Sequence, residues 1–270
     1  MSFPIGSMSV GTIISKSFSL LIGRIQSFYL INLIVYLPAF LLAIGSPVLQ
    51  TMVGAGAPIA QVMLALLSIG LVIILQPIGT SAILYIVGSE YIGRKVSLAD
   101  AMNFAMGRFG DLIITGLIAG CMVMLGFVFC IVPGIILALR YMLATQVVIF
   151  ENLSGFSALK RSSQLTTGHQ WRVVGILLLV GLGTGIASAI IQGVLGSVLP
   201  QGEFELIGGK MVLVNIIWIN FLVHTFLSWM IQVFFTTFQS VASTLVYLDI
   251  RARSESQATM NQVMEQRFSS

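Results

Sequence analysis

Few side chains in this sequence could do chemistry, and the most unusual of them is an arginine inside an apolar segment. Arg140 lies in the stretch that begins at Pro133 and ends on Glu151. A charge within a segment apolar enough to enter a membrane is costly, and such a charge is usually paired or functional. Arg140 could bind an anion or a lipid phosphate, or it could bond to carbonyl groups or to Glu203 or Glu205 of a later loop. We favour the structural interpretation, because polar side chains in membranes often join helices.

A second polar group lies in the last apolar segment. Asn220, His224 and Ser228 follow one another at intervals of four residues, so they share one face of a helix. Such a face could carry a proton or a substrate, or it could form hydrogen bonds between helices, which we favour. The residues of a zinc site or a catalytic triad are not found around them. The sequence therefore predicts no catalytic residue, no metal site and no cofactor.

The apolar segments define the class of protein. Hydrophobic residues make up 57% of the 270 residues and charged residues 8%, whereas about a quarter of a soluble domain is charged. The mean hydropathy is +1.02. One helical crossing needs about 20 apolar residues. We predict an all-α protein with six transmembrane helices in one membrane domain, residues 1–250, followed by a polar cytoplasmic tail, residues 251–270. The predicted spans are residues 27–49, 61–87, 112–131, 135–150, 173–199 and 211–247.

The basic residues indicate how the chain crosses the membrane. The net charge is +4, but Lys and Arg are scattered at the ends of apolar segments, which disfavours a nucleic-acid partner. Of the 13 Lys and Arg residues, all but Arg140 and Lys210 fall on one side of the predicted spans. Because cytoplasmic loops carry an excess of such residues, we predict a prokaryotic inner-membrane protein with both termini in the cytoplasm. The predicted cytoplasmic interface holds Lys16, Arg24, Arg94, Lys95, Lys160, Arg161, Arg172, Arg251 and Arg253.

Three short segments have the 3.6-residue period of an amphipathic helix, and each precedes two spans. They cover residues 9–25, 97–109 and 154–167. We expect them to lie at the cytoplasmic membrane surface. Their starts align on Ser9, Ser97 and Ser154, and Asp100 completes a capping box with Ser97. The chain thus divides into three units of an interfacial helix plus a helical hairpin. The units cover about residues 1–90, 91–151 and 152–250.

The fifth span carries small residues at every fourth position. They are Gly181, Gly185, Ala189, Gly193 and Ser197. This spacing lets two helix backbones approach closely in lipid, so it predicts helix packing.

Four stretches carry a family resemblance. They are Val10–Arg24, residues 75–101, residues 133–172 and the YLDIRAR sequence at 247–253. With them the chain resembles a largely uncharacterised family of six-span prokaryotic membrane proteins. The family includes the membrane domain found ahead of the catalytic domain in some bacterial glycerophosphodiester phosphodiesterases. The resemblance implies a fold and a membrane location. It does not imply the phosphodiesterase activity, which needs a separate barrel with clustered His, Glu and Asp, whereas this chain has two distant histidines, His169 and His224.

We expect a non-catalytic accessory or structural subunit that binds membrane lipids, a partner membrane protein or a second copy of itself. The alternative, a transporter of a lipid or small amphiphile, stays open. A transporter should contain a cavity that reaches Arg140 and His224, and dry helix contacts around both residues would exclude it.

Overall fold

The computed structural model describes residues 8–53, 58–200, 202–207, 210–216 and 218–254, so most of the predicted tail lies outside the described residues. The helices are α1 Val10–Gly23, α2 Ile25–Val53, α3 Pro58–Tyr91, α4 Leu98–Gly107, α5 Phe109–Phe129, α6 Ile131–Tyr141, α7 Ala144–Glu151, α8 Gly155–Thr166, α9 Gln170–Val198 and α10 Trp218–Ser254. Two strands, β1 Gly202–Ile207 and β2 Lys210–Ile216, lie between α9 and α10.

Six helical stretches are long and apolar enough to cross a membrane, which confirms the predicted number of spans. They are Ile25–Gly45, Val62–Tyr91, Phe109–Phe129, Ile131–Glu151, Gln170–Val198 and Trp218–Ser254. The spans alternate in direction. We call the end at which α2, α5 and α9 begin and α3, α7 and α10 end the charged end, because Arg24, Glu90, Glu151, Arg172 and Asp249 lie there. The opposite end is the hairpin end.

The all-α class agrees with the structure, and the one exception among the described residues is a two-stranded β-hairpin at the hairpin end. Strands β1 and β2 pair in antiparallel fashion, with Gly202 opposite Ile216 and Ile207 opposite Lys210. The run MVLVNI that opens the predicted sixth span is rich in residues that favour strands, and two glycines separate it from GEFELI. The span therefore begins at Trp218 rather than at residue 211. From there α10 continues as one unbroken helix to Ser254, so the break considered near Asn220 is absent.

The fourth span is broken, and it begins earlier than predicted. It starts at Ile131 rather than at residue 135, and Met142 and Leu143 separate α6 from α7. The hydroxyl of Ser162 in α8 donates a hydrogen bond to the carbonyl of Arg140 at 2.8 Å. This bond satisfies a backbone acceptor beside the break, as a low-dielectric environment requires.

The three short helices begin and pack at equivalent positions. Helices α1, α4 and α8 each start directly after the serine on which the three segments align, and Ser97 and Asp100 form the predicted capping box. Four and eight residues after each serine stand side chains with 0% exposure. These are Ile13 and Ser17, Ala101 and Ala105, and Ala158 and Ser162. The short helices therefore bury one face against the spans: α1 mainly against α10, α4 against α3, and α8 against α5, α6 and α7.

The hydrophobic core lies in the half of the bundle nearest the charged end. In α10 every residue of 244–251 is buried, whereas Trp218, Ile219 and Phe226 are exposed. In α9 the residues Val173, Ile176 and Val180 are buried, but Ile186, Ile190 and Val194 near the hairpin end are exposed. The helices therefore pack tightly at the charged end and separate towards the hairpin end.

The predicted small-residue stripe does not pack against another helix of the described chain. A Cβ placed on Gly181, Gly185 or Gly193 would meet no atom of a neighbouring helix within 4 Å. Close backbone contact occurs instead between α5 and α6, where a Cβ on Gly126 would lie 2.9 Å from the Cα of Gly134. The spacing of small residues therefore did not identify the helix pair that packs most closely, because the stripe lies where the helices separate.

We predict opposite outcomes for the same substitution at two glycines. Gly126→Ala should destabilise the protein by about 1–3 kcal/mol, because the α5 and α6 backbones must move apart. Gly185→Ala should be neutral or stabilising by up to about 1 kcal/mol, since alanine is the better helix former and the site is open. Thermal unfolding in detergent measures both. Equal loss of stability in the two variants would contradict the assignment of the close contact.

Candidate functional site

Asp249 is the centre of an ionic cluster at the charged end. Its side chain is fully buried, and its carboxylate accepts hydrogen bonds from the backbone N–H of Met8 at 2.6 Å, from Nε of Arg172 at 3.0 Å and from Nε of Arg253 at 3.1 Å. Arg172 also donates to the carbonyl of Met8. The cluster therefore joins the segment before α1, the start of α9 and the end of α10.

Glu151 forms a second buried cluster with α8 and α10. Its carboxylate accepts hydrogen bonds from Nε of Arg161 at 2.6 Å and from the Tyr247 hydroxyl at 2.8 Å. Arg251 donates to the Tyr247 hydroxyl at 3.1 Å, and its guanidinium lies 3.9 Å from Glu151. Three helices thus meet around one carboxylate, and the charges inside the protein compensate one another.

A third carboxylate stands at the end of α3. Glu90 accepts a hydrogen bond from Nε of Arg24, which lies between α1 and α2. Glu90, Glu151 and Asp249 therefore each end the second span of one predicted unit, and each is paired with an arginine.

The cations predicted at the interface fall into three groups. Arg94, Lys95, Lys160 and Arg253 are exposed, whereas Lys16, Arg24, Arg161 and Arg172 are half-buried. Arg251 is 2% exposed. Its assignment to the membrane surface is therefore corrected: the guanidinium lies inside the protein, because Tyr247 and Glu151 offer it acceptors there.

A polar cavity of about 300 Å³ lies among α2, α3, α7, α9 and α10. We call it the central cavity. The amide and hydroxyl side chains in its wall include Asn32, Gln76, Thr80, Gln146, Gln239 and Ser240. Met142 and Thr145 place the break between α6 and α7 in the same wall. Non-helical backbone at membrane depth is tolerated where it is covered by protein or lines such a cavity.

Two further cavities adjoin the central one. The apolar cavity, about 370 Å³, is lined by Ala39, Phe40, Val72, Trp229 and Val233 and shares Tyr36, Gln76 and Thr236 with the central cavity. The side cavity, about 310 Å³, lies between α9 and α10. It shares Thr236 and Gln239 with the central cavity, and Gln239 donates a 2.6 Å hydrogen bond to Thr184 in its wall. The three spaces thus adjoin one another beside α10, and we refer to them together as the connected region.

The connected region is closed towards the charged end. Immediately after Gln146, the residues 147–150 of α7 are buried, and so are residues 244–251 of α10 after Ser243. Towards the hairpin end the side cavity continues along Ser188 and Gln192 of α9. The ionic clusters and the hydrophobic core therefore form the closed end of these cavities.

The polar residues singled out in the apolar segments lie outside this region, whereas Gly181, Gly185 and Ala189 of the small-residue stripe line it. The Arg140 side chain is exposed on the surface of the bundle, and the side chains of Glu203 and Glu205 are not among those described. His224 Nδ1 lies 3.4 Å from the Ser228 hydroxyl, and Asn220 donates to the carbonyl of Pro200 at 3.1 Å. None of these polar residues appears among the described residues that line the three cavities.

Sequence reasoning missed the cavity residues, although one signal was readable. Gln232, Thr236, Gln239 and Ser243 recur at three- and four-residue intervals along the sixth span, which places them on one face of α10. Within the described ranges no group of three or more His, Cys, Asp or Glu residues could hold a metal ion.

Comparison with known proteins gives the family. The profile described as "Membrane domain of glycerophosphoryl diester phosphodiesterase" matches residues 111–269, more than half of the chain. The chain belongs to this family. The resemblance found in the sequence is thereby confirmed. The match includes the ionic clusters around Glu151 and Asp249 and the cavity walls formed by α7, α9 and α10.

Named relatives share a shorter part of the chain. UPF0259 membrane proteins of Yersinia pestis (strain Pestoides F) and of Yersinia pseudotuberculosis serotype O:1b (strain IP 31758) are each 30% identical over 87 residues. The match covers 32% of this chain and 34% of each relative, so it spans about a third of their length. No solved structure matches this chain at a significant level.

The buried and exposed carboxylates at the charged end should respond differently to neutralisation. Asp249→Asn leaves Arg172 and Arg253 facing a neutral group, and removing one partner of a buried ion pair costs about 3–5 kcal/mol. Asp111→Asn removes the partner of Arg108, but the side chain of Asp111 is 35% exposed, so the loss should be about 0–1 kcal/mol. Thermal unfolding in detergent tests the difference, and similar midpoints for both variants would contradict the central position of Asp249.

Proposed function

We propose that this protein is a non-catalytic membrane protein that binds a membrane lipid or another amphiphile in its connected cavities. The proposal rests on the contact between a polar cavity and an apolar cavity through Tyr36, Gln76 and Thr236. An amphiphile needs both environments at adjacent positions, and a ligand pocket of several hundred Å³ is within the usual range. In this function the ionic clusters hold the helices together and take no part in binding.

We further propose that the chain lies in the inner membrane with the charged end and both termini in the cytoplasm. The side on which Lys and Arg accumulate supports this orientation. The three units are proposed to be structural repeats. Their support is the equivalent start and burial of α1, α4 and α8, together with the paired carboxylate at the end of each unit. The exposed cations of α8 and of the segment before α4 would face lipid headgroups.

Transport of the bound amphiphile is the second candidate function. The break between α6 and α7 favours it, since interrupted helices beside a cavity are common at the binding sites of transporters. The cavities meet neither Arg140 nor His224 among the described residues, so transport would use the uncharged side chains of α10 instead.

A partner chain within the bilayer is the remaining part of the proposal. The stripe of Gly185, Ala189 and Gly193 is exposed on α9, with Gly185 and Ala189 also at the side cavity. Its two glycines make no close helix contact in the described chain. Small residues on a lipid-facing surface permit close approach of a second membrane helix. A protein partner or a second copy of this chain would bury that stripe.

Purification in lipid nanodiscs followed by mass spectrometry tests the proposal. We expect a specific lipid to remain with the protein in stoichiometric amount. Thr236→Leu and Gln76→Leu should release it, because both side chains line the junction of the polar and apolar cavities. Ser68→Leu is a matched control, since Ser68 bonds only to its own helix at Leu64 and lines none of the three cavities. Retention of the same lipids by all variants would contradict binding in the cavities.

A further inference from the structure

We infer that the polar part of the ligand is uncharged and carries a hydroxyl group, so that the cavities select a neutral hydroxylated lipid over an anionic one. This inference rests on the proposed function and specifies the chemistry of its ligand. Its basis is the combination of an uncharged wall, an unpaired acceptor in the central cavity and an unpaired donor beside the apolar cavity.

The walls of the connected cavities offer hydrogen bonds without charge. Of the described residues that line them, none is Asp, Glu, Lys, Arg or His, whereas Gln, Asn, Ser and Thr recur throughout. Moving an ionised group from water into such a place without a counter-charge costs many kcal/mol. A phosphate monoester would meet no cation there. A hydroxylated head, in contrast, would exchange its hydrogen bonds with water for bonds to amides and hydroxyls.

A side chain in the wall of the central cavity carries a buried acceptor with no partner in the described structure. Gln146 is 4% exposed, it lines the central cavity, and its Oε1 accepts no hydrogen bond. A buried acceptor without a donor is unfavourable by about 1–3 kcal/mol. A ligand hydroxyl can supply the missing donor. A phosphate oxygen that is fully ionised cannot, because it only accepts.

A side chain in the wall of the apolar cavity carries a buried donor. The indole Nε1 of Trp229 is buried and has no acceptor among the described residues, and the ring packs against Phe40 with a centroid separation of 5.1 Å. An ester carbonyl at the start of an acyl chain is an acceptor of the right kind for this donor. A molecule with a free hydroxyl and hydrocarbon chains would offer a donor to Gln146 in the central cavity wall and apolar surface to the apolar cavity. A 1,2-diacylglycerol has this chemistry and serves as the probe.

Two lipids that differ only in the group at the third glycerol carbon, a free hydroxyl or a phosphate, test the inference. The chain has three tryptophans, and the substitutions Trp171→Phe and Trp218→Phe leave Trp229 as the only indole. Phosphatidylcholine nanodiscs then receive either 1,2-diacylglycerol or phosphatidate, each with the same brominated acyl chains, which quench nearby indole fluorescence. Because both lipids quench equally from the bulk bilayer, a difference between them reports occupation of the cavity. We expect half-maximal quenching at a lower mole fraction of diacylglycerol than of phosphatidate.

A pair of glutamine variants locates the hydroxyl contact. Gln146→Leu should raise the half-quenching mole fraction of diacylglycerol roughly three- to tenfold, the worth of one hydrogen bond. Gln26→Leu makes the same chemical change at an exposed residue outside the cavities and should leave quenching unchanged. Free glycerol has the hydroxyls without the chains and should not reverse the quenching. Reversal by glycerol would place a soluble polyol in the cavity and overturn the assignment to a lipid.

The remaining outcomes separate this inference from the proposed function. If phosphatidate quenches Trp229 as well as diacylglycerol or better, the cavity binds an amphiphile but does not select a neutral one, and only the inference fails. A thermal unfolding transition shows whether the variant is folded. If the folded protein is quenched by neither lipid beyond the level of a lipid that remains in the bulk bilayer, the proposed binding function fails as well.

Discussion

The ionic cluster around Asp249 is the interaction on which the rest of the structure depends. A carboxylate with no exposed surface must be fully compensated, and here a backbone N–H of Met8 and the guanidinium groups of Arg172 and Arg253 do so together. These partners come from the beginning of the chain, the start of the fifth span and the end of the sixth. The buried charge therefore requires the first and last helices to meet.

Compensation of charge at one end explains the shape of the bundle. The ion pairs of Glu90 with Arg24 and of Glu151 with Arg161 join further helices at the same end, and the apolar core lies directly beside these ion pairs. No comparable interaction is described at the hairpin end, where the spans are covered by exposed apolar side chains. Tight packing at one end and separation at the other leave room for the cavities between α2, α3, α7, α9 and α10.

Charged side chains and uncharged polar side chains lie at different depths of the protein, and this separation has a functional consequence. The ion pairs form a closed layer, while the cavities beyond it contain amides and hydroxyls. The break between α6 and α7 lies at the boundary, where Ser162 satisfies the carbonyl of Arg140 and Gln146 turns towards the central cavity. A ligand in this place would be recognised by hydrogen bonds and shape rather than by electrostatic attraction.

The sequence by itself determined the properties that depend on local composition and period. Six apolar stretches and the capping box at Ser97 follow from neighbouring residues, and the structure agrees. The amphipathic period of the three short segments is a property of the same local pattern. The tertiary structure alone decided which polar groups meet. Gln76, Gln146 and Gln239 come from three separate spans, so no spacing along the chain could bring them together. Close packing likewise depends on where two helices converge, and within the described chain that place is the contact between Gly126 and Gly134.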